Sequence, residues 1–294
     1  MINYDIKLDT GDSLDIELKN NLYGDKLIHD DCIFRYMNFE KFVHFITNGL
    51  YLTRVDFFDD RFEGDYTETI YKTSELIDCN GVKATKSLHT NKQYINRSAY
   101  ASCWALGETE SMAHWDIYGG GKNSVAIKTS IGKLIKELEF YNYNNTENTE
   151  VDRRNIIIQR FSRKVAAKIS YIDYYKQSID IAKWHCDDYL NRLLSKHHGY
   201  AYENEARILY DFSKYLPTST YENGSHMSQE IGSGFSIPVN SKNLLTSVIV
   251  SPRADAWFFD VINNILISNG FFENSLNDIL KYSEFRHSPS EKSA

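Results

Sequence analysis

The chain has 294 residues, of which 42% are hydrophobic and 25% charged, and its formal net charge is −7. These proportions are typical of a soluble globular protein with one large domain or two small ones. The acidic balance argues against a protein that coats nucleic acid through bulk charge. Apolar runs of the roughly 18 residues that span a bilayer are absent, and the acidic first residues do not resemble a signal peptide. We therefore expect a cytoplasmic protein.

The cysteine spacing argues against a structural zinc site. The four cysteines have no CxxC pairing, which such sites normally use. We expect free thiols at Cys32, Cys79, Cys103 and Cys186.

The first half of the chain predicts strands that alternate with helices. An irregular lead-in over residues 1–30 is expected to carry a short strand. A single α+β domain then follows over 31–285. In chain order, the patterns predict a strand at 32–37, a helix at 39–49 with Asn38 as its N-cap, a strand at 50–55, a strand at 99–106, a helix at 108–121, a strand at 124–130 and a helix at 131–140.

The second half continues this alternation. It predicts a polar segment at 141–150, a basic helix at 151–168, a strand at 168–174, a long helix at 175–197, a strand within 199–212, strands at 235–239 and 246–252, and a helix at 254–270. A flexible tail is expected at 286–294. The interleaving predicts a central mixed β-sheet with surrounding helices, rather than a doubly wound parallel sheet.

The segment GYAYENEARILYDF, residues 199–212, places charged residues two apart in an apolar run. As a helix, it would pair Glu203 with Arg207. As a strand, which its aromatic content favours, it would place Glu203, Glu205 and Arg207 on one face and turn Tyr202, Ile208 and Tyr210 to the core. That polar face is either solvated or the floor of a site in which a carboxylate stabilises positive charge.

Arg35 lies among apolar residues on its predicted strand and needs an anionic partner. That partner is either a structural acid or a bound phosphate or ribose. Trp115 and Tyr118, three apart on a helix, are either core residues or the wall of a pocket for a flat ring. The acidic loop FFDDRFEGD is either a solvated turn or a Mg²⁺ site. Its acids are Asp59, Asp60, Glu63 and Asp65.

The order of four segments is similar to that of an uncharacterised bacterial family called domain of unknown function 2971. The segments are IFRYMNFEKFVHFITNGLYLTRVDFFDDRFEG, SCWALGETESMAHWDIYGGGKNSVAI, YAYENEARILY and LTSVIVSP, which together span roughly residues 32–252. The loop lacks the proline usual in the family, and SMAHWDIYGGG has glycine where a small residue and histidine are usual. The family name implies no activity.

More distantly, the chain resembles the ADP-ribosyltransferase plan of an Arg-bearing strand, a helix, a second strand and a late ExE strand. This resemblance implies that Arg35 holds NAD, that Glu205 stabilises the oxocarbenium-like transition state, and that Glu203 orients the acceptor. SCW at 102–104 is the nearest equivalent of the family's Ser-Thr-Ser strand. The implied NAD-binding residues are Arg35, Tyr36, Trp104, Trp115, Tyr118 and Arg207.

The favoured hypothesis is an NAD-dependent ADP-ribosyltransferase-like enzyme without a metal, a bacterial toxin or phage-defence effector with a protein or nucleic-acid acceptor. One alternative is a metal-dependent nuclease that uses Asp59, Asp60, Glu203 and Glu205. Such a nuclease usually needs a lysine near its carboxylates. Another alternative is a non-enzymatic ligand-sensing or interaction module. The transferase hypothesis predicts that Arg35 and Glu205 open into one cleft, bordered by Trp115 or Tyr118.

Overall fold

The computed structural model describes residues 15–60, 96–144, 158–159, 162–173, 188–213 and 231–286. Their strands are β1 (Glu17–Lys19), β2 (Cys32–Asn38), β3 (Leu50–Arg54), β4 (Ala99–Leu106), β5 (Ser124–Ser130), β6 (Arg163–Lys168), β7 (Ser170–Ile172), β8 (Ser195–His197), β9 (Glu205–Asp211), β10 (Gly234–Ile237), β11 (Ser247–Val250) and β12 (Leu280–Tyr282). Ten of these strands form one mixed sheet, which confirms the predicted α+β class.

The helices of the same ranges are α1 (Phe39–Asn48), α2 (Met112–Tyr118), α3 (Ile131–Asn144), α4 (Ser241–Leu244), α5 (Ala256–Ser268) and α6 (Glu273–Ile279). Three short 3₁₀ helices cover Val55–Phe57, Tyr189–Leu194 and His198–Glu203. None of the helices in the described ranges is both long enough and apolar enough to cross a membrane.

The large sheet has the strand order β1-β6-β9-β4-β2-β5-β11-β12. β1 runs parallel to β6 and β11 parallel to β12, whereas the neighbours between them are antiparallel. Two strands share one edge of β4: β2 pairs with Leu106 and Ala105, and β3 pairs with Ala101 and Tyr100. The sheet therefore forks along β4, and β10 extends the β3 branch.

The two faces of the sheet bury different cores. One face carries the main hydrophobic core, in which Phe42 of α1, Leu134 of α3 and Ile262 of α5 contribute. The other face carries two smaller cores. The first lies under the 3₁₀ helix Tyr189–Leu194, and the second lies under α2. This division matters for function because polar residues occupy the sheet between the two smaller cores.

Helix α1 begins and ends where its sequence predicts. The Asn38 side chain accepts a hydrogen bond from the Lys41 backbone amide, as an N-cap does. At the other end, Gly49 has a φ of 89° and donates its N–H to the oxygen of Phe45. This left-handed conformation favours glycine. The chain then turns directly into β3.

Residues 163–168 form strand β6, so the basic helix predicted to reach residue 168 is wrong there. β6 pairs with β1 on one edge and with β9 on the other, which satisfies its backbone on both sides. Its one interior cation, Lys164, is buried and donates to the backbone oxygens of Gln159 and Ser162. Tertiary pairing therefore overrides the helical appearance of this segment.

The predicted long helix over 175–197 is also wrong where it can be compared. Residues 189–194 form a 3₁₀ helix, and residues 195–197 form β8, which pairs in parallel with β7. Residues 174–187 lie outside the described ranges, as do 61–95 with Glu63, Asp65 and Cys79.

Candidate functional site

The ExE segment is divided between two elements. Glu203 ends a 3₁₀ helix, Asn204 has a φ of 40°, and Glu205 begins β9. Only Glu205 and Arg207 therefore lie two residues apart on one strand and share its face. The prediction that one strand face carries all three charges is wrong, because Glu203 is not on the strand. Ile208 and Tyr210 are buried as predicted, whereas Tyr202 is 49% exposed and does not face the core.

The charged side chains nevertheless meet in one network, which we call the carboxylate cluster: Lys196, Glu203, Glu205 and Arg207. Lys196 Nζ lies 2.7 Å from Glu203 Oε2 and 2.8 Å from Glu205 Oε2. Arg207 Nε donates to Glu205 Oε1 over 2.8 Å. All four side chains are 10% exposed or less. The two positive and two negative charges balance.

Residues of α2 border the outer side of this cluster. The Tyr118 hydroxyl donates to Glu203 Oε1 over 2.5 Å, and its side chain is 41% exposed. His114 Nε2 lies 3.1 Å from the backbone oxygen of Glu203, and its ring stacks against Tyr36. Glu203 is thus the carboxylate that contacts the exposed Tyr118 ring. Glu205 lies on β9 of the large sheet.

Electrostatics keeps Glu205 ionised. Burial alone would raise the pKa of its carboxyl, but the nearby charges of Arg207 and Lys196 outweigh burial and lower the pKa to about 2. Burial and the adjacent Glu205 charge raise the pKa of Cys103, so its half-buried thiol stays protonated. Burial lowers the pKa of His114, which keeps its ring neutral at pH 7.

The cluster occupies the sheet face between the two smaller cores. On β4, Cys103 pairs with Arg207 and Ala105 pairs with Glu205, so these four residues share a face. Ala105 contacts the small core under α2. Leu209 belongs to the other small core. The polar residues therefore fill a gap in the apolar covering of this face.

Arg35 lies on the opposite face, so the expectation that it shares a cleft with Glu205 is wrong. The register aligns Phe34 with Ala105, and Ala105 with Glu205. Because successive strand residues alternate between faces, Arg35 points away from Glu205. Its guanidinium donates to Ser102 Oγ over 2.8 Å and to the Tyr51 backbone oxygen over 3.3 Å.

The predicted aromatic residues separate in the same way. Trp104 is 2% exposed, and the Arg35 guanidinium lies 5.7 Å from its ring centre, which places this tryptophan away from Glu205. Trp115 is buried and donates its ring N–H to Glu110. Tyr36 is buried in the core under α2. Of the predicted aromatic residues, Tyr118 is the one that contacts a predicted catalytic acid and is partly exposed.

Of the two acids of the acidic loop that the structure describes, Asp60 lies near the cluster. Asp60 is the main cause of a raised pKa at Tyr200, whose ring lies 5.7 Å from Lys196 Nζ. Asp59 is exposed. In the described part of the chain, no group of three or more His, Cys, Asp or Glu residues is placed to hold a metal ion.

Sequence reasoning missed Lys196 and the structural contact of His114. Lys196 precedes Glu203 by seven residues and lies in a segment that the pattern assigned to a helix. Strand periodicity does not say where a lysine seven residues before Glu203, outside the strand, will lie relative to the acids. The sequence offered only one hint of this contact, namely that Lys196 is close in sequence to Glu203 and Glu205.

Comparison with known proteins finds one family. Residues 114–208 match the family model described as "Protein of unknown function (DUF2971)", which confirms the predicted likeness for that segment of the broader 32–252 span. The matched segment contains every residue of the carboxylate cluster, together with His114 and Tyr118. No curated protein and no solved structure gives a significant match.

Proposed function

We propose that the carboxylate cluster is a site of glycosyl transfer from NAD. Glu205 supplies the fixed negative charge, and Glu203 holds the acceptor. The observation that carries this proposal is the Glu205 carboxylate, which Lys196 and Arg207 keep ionised at low exposure. A preorganised charge in a poorly solvated site stabilises a transition state more effectively than the same charge in water.

The reaction needs few protein groups. The bond between the ribose C1′ and the nicotinamide nitrogen breaks, and its electron pair neutralises the ring nitrogen, so nicotinamide leaves uncharged. The positive charge moves to the ribose, where an ionised Glu205 stabilises it. An acceptor then bonds to C1′ and gives up a proton, for which the Glu203 carboxylate is the nearest base at the outer side of the cluster. This sequence requires neither a covalent enzyme intermediate nor a metal.

One further feature supports the proposal. The exposed Tyr118 ring next to Glu203 offers a surface on which a flat ring can stack. Arg35 takes no part, because its side chain supports the fork on the other face.

Substitution of the two acids tests the assignment. Glu205→Gln should bind NAD with nearly wild-type affinity yet cleave it about two to three orders of magnitude more slowly, which is the usual cost of removing one transition-state electrostatic contact. Glu203→Gln should retain NAD cleavage and lose transfer to the acceptor. Nicotinamide release and calorimetric NAD binding measure these effects.

Glu137→Gln is the matched control, because Glu137 is a buried glutamate that accepts a hydrogen bond from the Asn240 backbone away from the cluster. Wild-type-like NAD cleavage by Glu205→Gln, or a wild type that neither binds nor consumes NAD, would remove the transferase proposal.

A specific contact also favours the second candidate, the metal-dependent nuclease. Lys196 approaches both carboxylates, which supplies the lysine that such nucleases usually carry beside their acids. Its ammonium, however, occupies the position between Glu203 and Glu205 where a shared metal ion would bind. The nuclease therefore requires Lys196 to move when Mg²⁺ binds, whereas the transferase does not.

Incubation of the wild type with plasmid DNA and with RNA, with and without Mg²⁺, distinguishes these candidates. Metal-dependent cleavage that Glu205→Gln abolishes would support the nuclease. Ligand binding without turnover of NAD or nucleic acid would support the non-enzymatic module.

A further inference from the structure

One lysine contacts both acids of the cluster from a separate element. Lys196 lies on β8, which belongs to a two-stranded sheet with β7, whereas Glu205 lies on the large sheet. Its ammonium lies within 2.8 Å of an oxygen of Glu203 and of an oxygen of Glu205. The two carboxylates are therefore close neighbours, and like charges at such short range disfavour joint ionisation.

In the part of the chain that the structure describes, no second cation contacts Glu203. Among the described residues, the cations that contact the pair are Lys196 and Arg207, and Arg207 reaches only Glu205. Among the described residues, the other titratable side chains around the pair include no further lysine or arginine, and they come from several elements. They are Cys103 of β4, His114 and Tyr118 of α2, Tyr171 of β7, Tyr200 and Tyr202 of the 3₁₀ helix, and Asp60 of the acidic loop.

We infer that Lys196 is the positioning residue of this acid pair, and that its ammonium allows Glu203 and Glu205 to be ionised together at a fixed separation. The role follows from geometry: a single nitrogen bridges the two acids, and Arg207 cannot replace it at Glu203. The joint ionisation of the two acids does not depend on the reaction. Only its kinetic consequence rests on the proposed transfer from NAD.

Removal of this cation has a defined consequence. In Lys196→Met, two acids remain with one guanidinium, so the pair should take up a proton at a higher pH than the wild-type pair does. A change of this kind shifts a carboxyl pKa by about 1 to 3 units. If the cluster cleaves NAD, the acid limb of its pH–rate profile should move upward by a similar amount, and alkaline pH should restore activity. Loss of a merely structural contact would lower the rate at every pH without shifting the profile.

Direct titration provides a readout that does not depend on activity. Carboxyl carbon NMR of protein labelled at glutamate, assigned with Glu203→Gln and Glu205→Gln, should show a new titration in Lys196→Met at least one unit above that of the wild-type pair. Lys196→Arg retains the charge and should titrate like the wild type. Lys19→Met is the matched control: Lys19 is a partly buried lysine paired with Asp188, which keeps its bond to Arg163.

Unchanged glutamate titration in Lys196→Met would overturn the inference, as would the same shift in Lys19→Met. Should Lys196→Met not fold, Lys196→Gln keeps a polar donor without the charge and must show the same new titration. A wild type inactive on NAD would refute the proposed reaction yet leave this titration decisive. Conversely, an active wild type with an unshifted Lys196→Met titration would refute the positioning role alone.

Discussion

The Arg207 side chain is 0% exposed. It donates to two acceptors, one on β9 itself and one on the 3₁₀ helix Tyr189–Leu194. Its Nε donates to Glu205, and its Nη1 donates to the Leu193 backbone oxygen over 2.6 Å. Arg207→Met fills much of the same space but leaves both acceptors without this donor. Removal of one partner of a buried ion pair typically costs about 3–5 kcal/mol. We expect a loss of this size in the free energy of unfolding, measured by urea denaturation.

A double-mutant cycle separates the ion pair from the rest of that loss. Glu205→Gln removes the charge that Arg207 neutralises, so Arg207→Met should cost less in the Glu205→Gln background than in the wild type. The difference should exceed about 1 kcal/mol for a directly contacting buried pair. Additive effects of the two substitutions would show that Arg207 acts through Leu193 and packing alone.

At the scale of the elements, the connection from α1 to β3 depends on a glycine for two reasons. Gly49 has a positive φ, and a Cβ at this position would overlap the backbone oxygen of Ile237 on β10. Gly24 also has a positive φ, but a Cβ there would meet nothing within 4 Å. Gly24→Ala should therefore cost only the conformational strain of about 1–2 kcal/mol. Gly49→Ala should cost clearly more, because strand backbone must move. Equal losses of unfolding free energy would contradict the close approach of β10.

The sequence predicted correctly those elements that capping residues or a local apolar pattern define. Asn38 and Gly49 bound α1 as expected, and the apolar patterns of β4 and β5 gave the observed Ala99–Leu106 and Ser124–Ser130. The failures lie at β6 and β8, whose strand state depends on partners distant in sequence. Propensity does not contain such pairing information.

The candidate site shows the same division between local and long-range information. The two-residue spacing correctly placed Glu205 and Arg207 on one strand face, but it also placed Glu203 on that strand, which is wrong. The alternation of residues within β2 could not reveal whether Arg35 shares a sheet face with Glu205. That depends on the register between β2 and β4 and on the register between β4 and β9. The contact of Lys196 with the acids could not be predicted from the sequence either, because it arises from the packing of β8 beside the large sheet.

For the whole molecule, the buried titratable groups predict how stability depends on pH. The pKa of Glu205 is lowered from 4.5 to about 2 in the folded protein, so its contribution is present above pH 4.5 and is lost as the pH falls towards 2. The lowered pKa of His114 acts in the same direction, with loss beginning as the pH falls through about 6.5. The raised pKa of Asp211 acts oppositely: its contribution is present below 3.8 and is lost as the pH rises.

Comparison of variants isolates the contribution of Glu205 from these opposing effects. Between pH 5 and pH 3, ionisation of Glu205 should account for about 2 kcal/mol of lost stability in the wild type. Glu205→Gln cannot titrate there, so its unfolding free energy should fall less over the same interval, although it is lower at pH 7. Asp211→Asn serves as the control of opposite sign, because the raised pKa of Asp211 stabilises the fold as the pH falls towards 3.8, and removal of that carboxyl should steepen the acid loss there. Urea denaturation at fixed pH values measures all three proteins. Parallel curves for the wild type and Glu205→Gln would mean that Lys196 and Arg207 do not lower the pKa of this carboxyl, and the preorganised electrostatic environment on which the proposed transfer rests would then be missing.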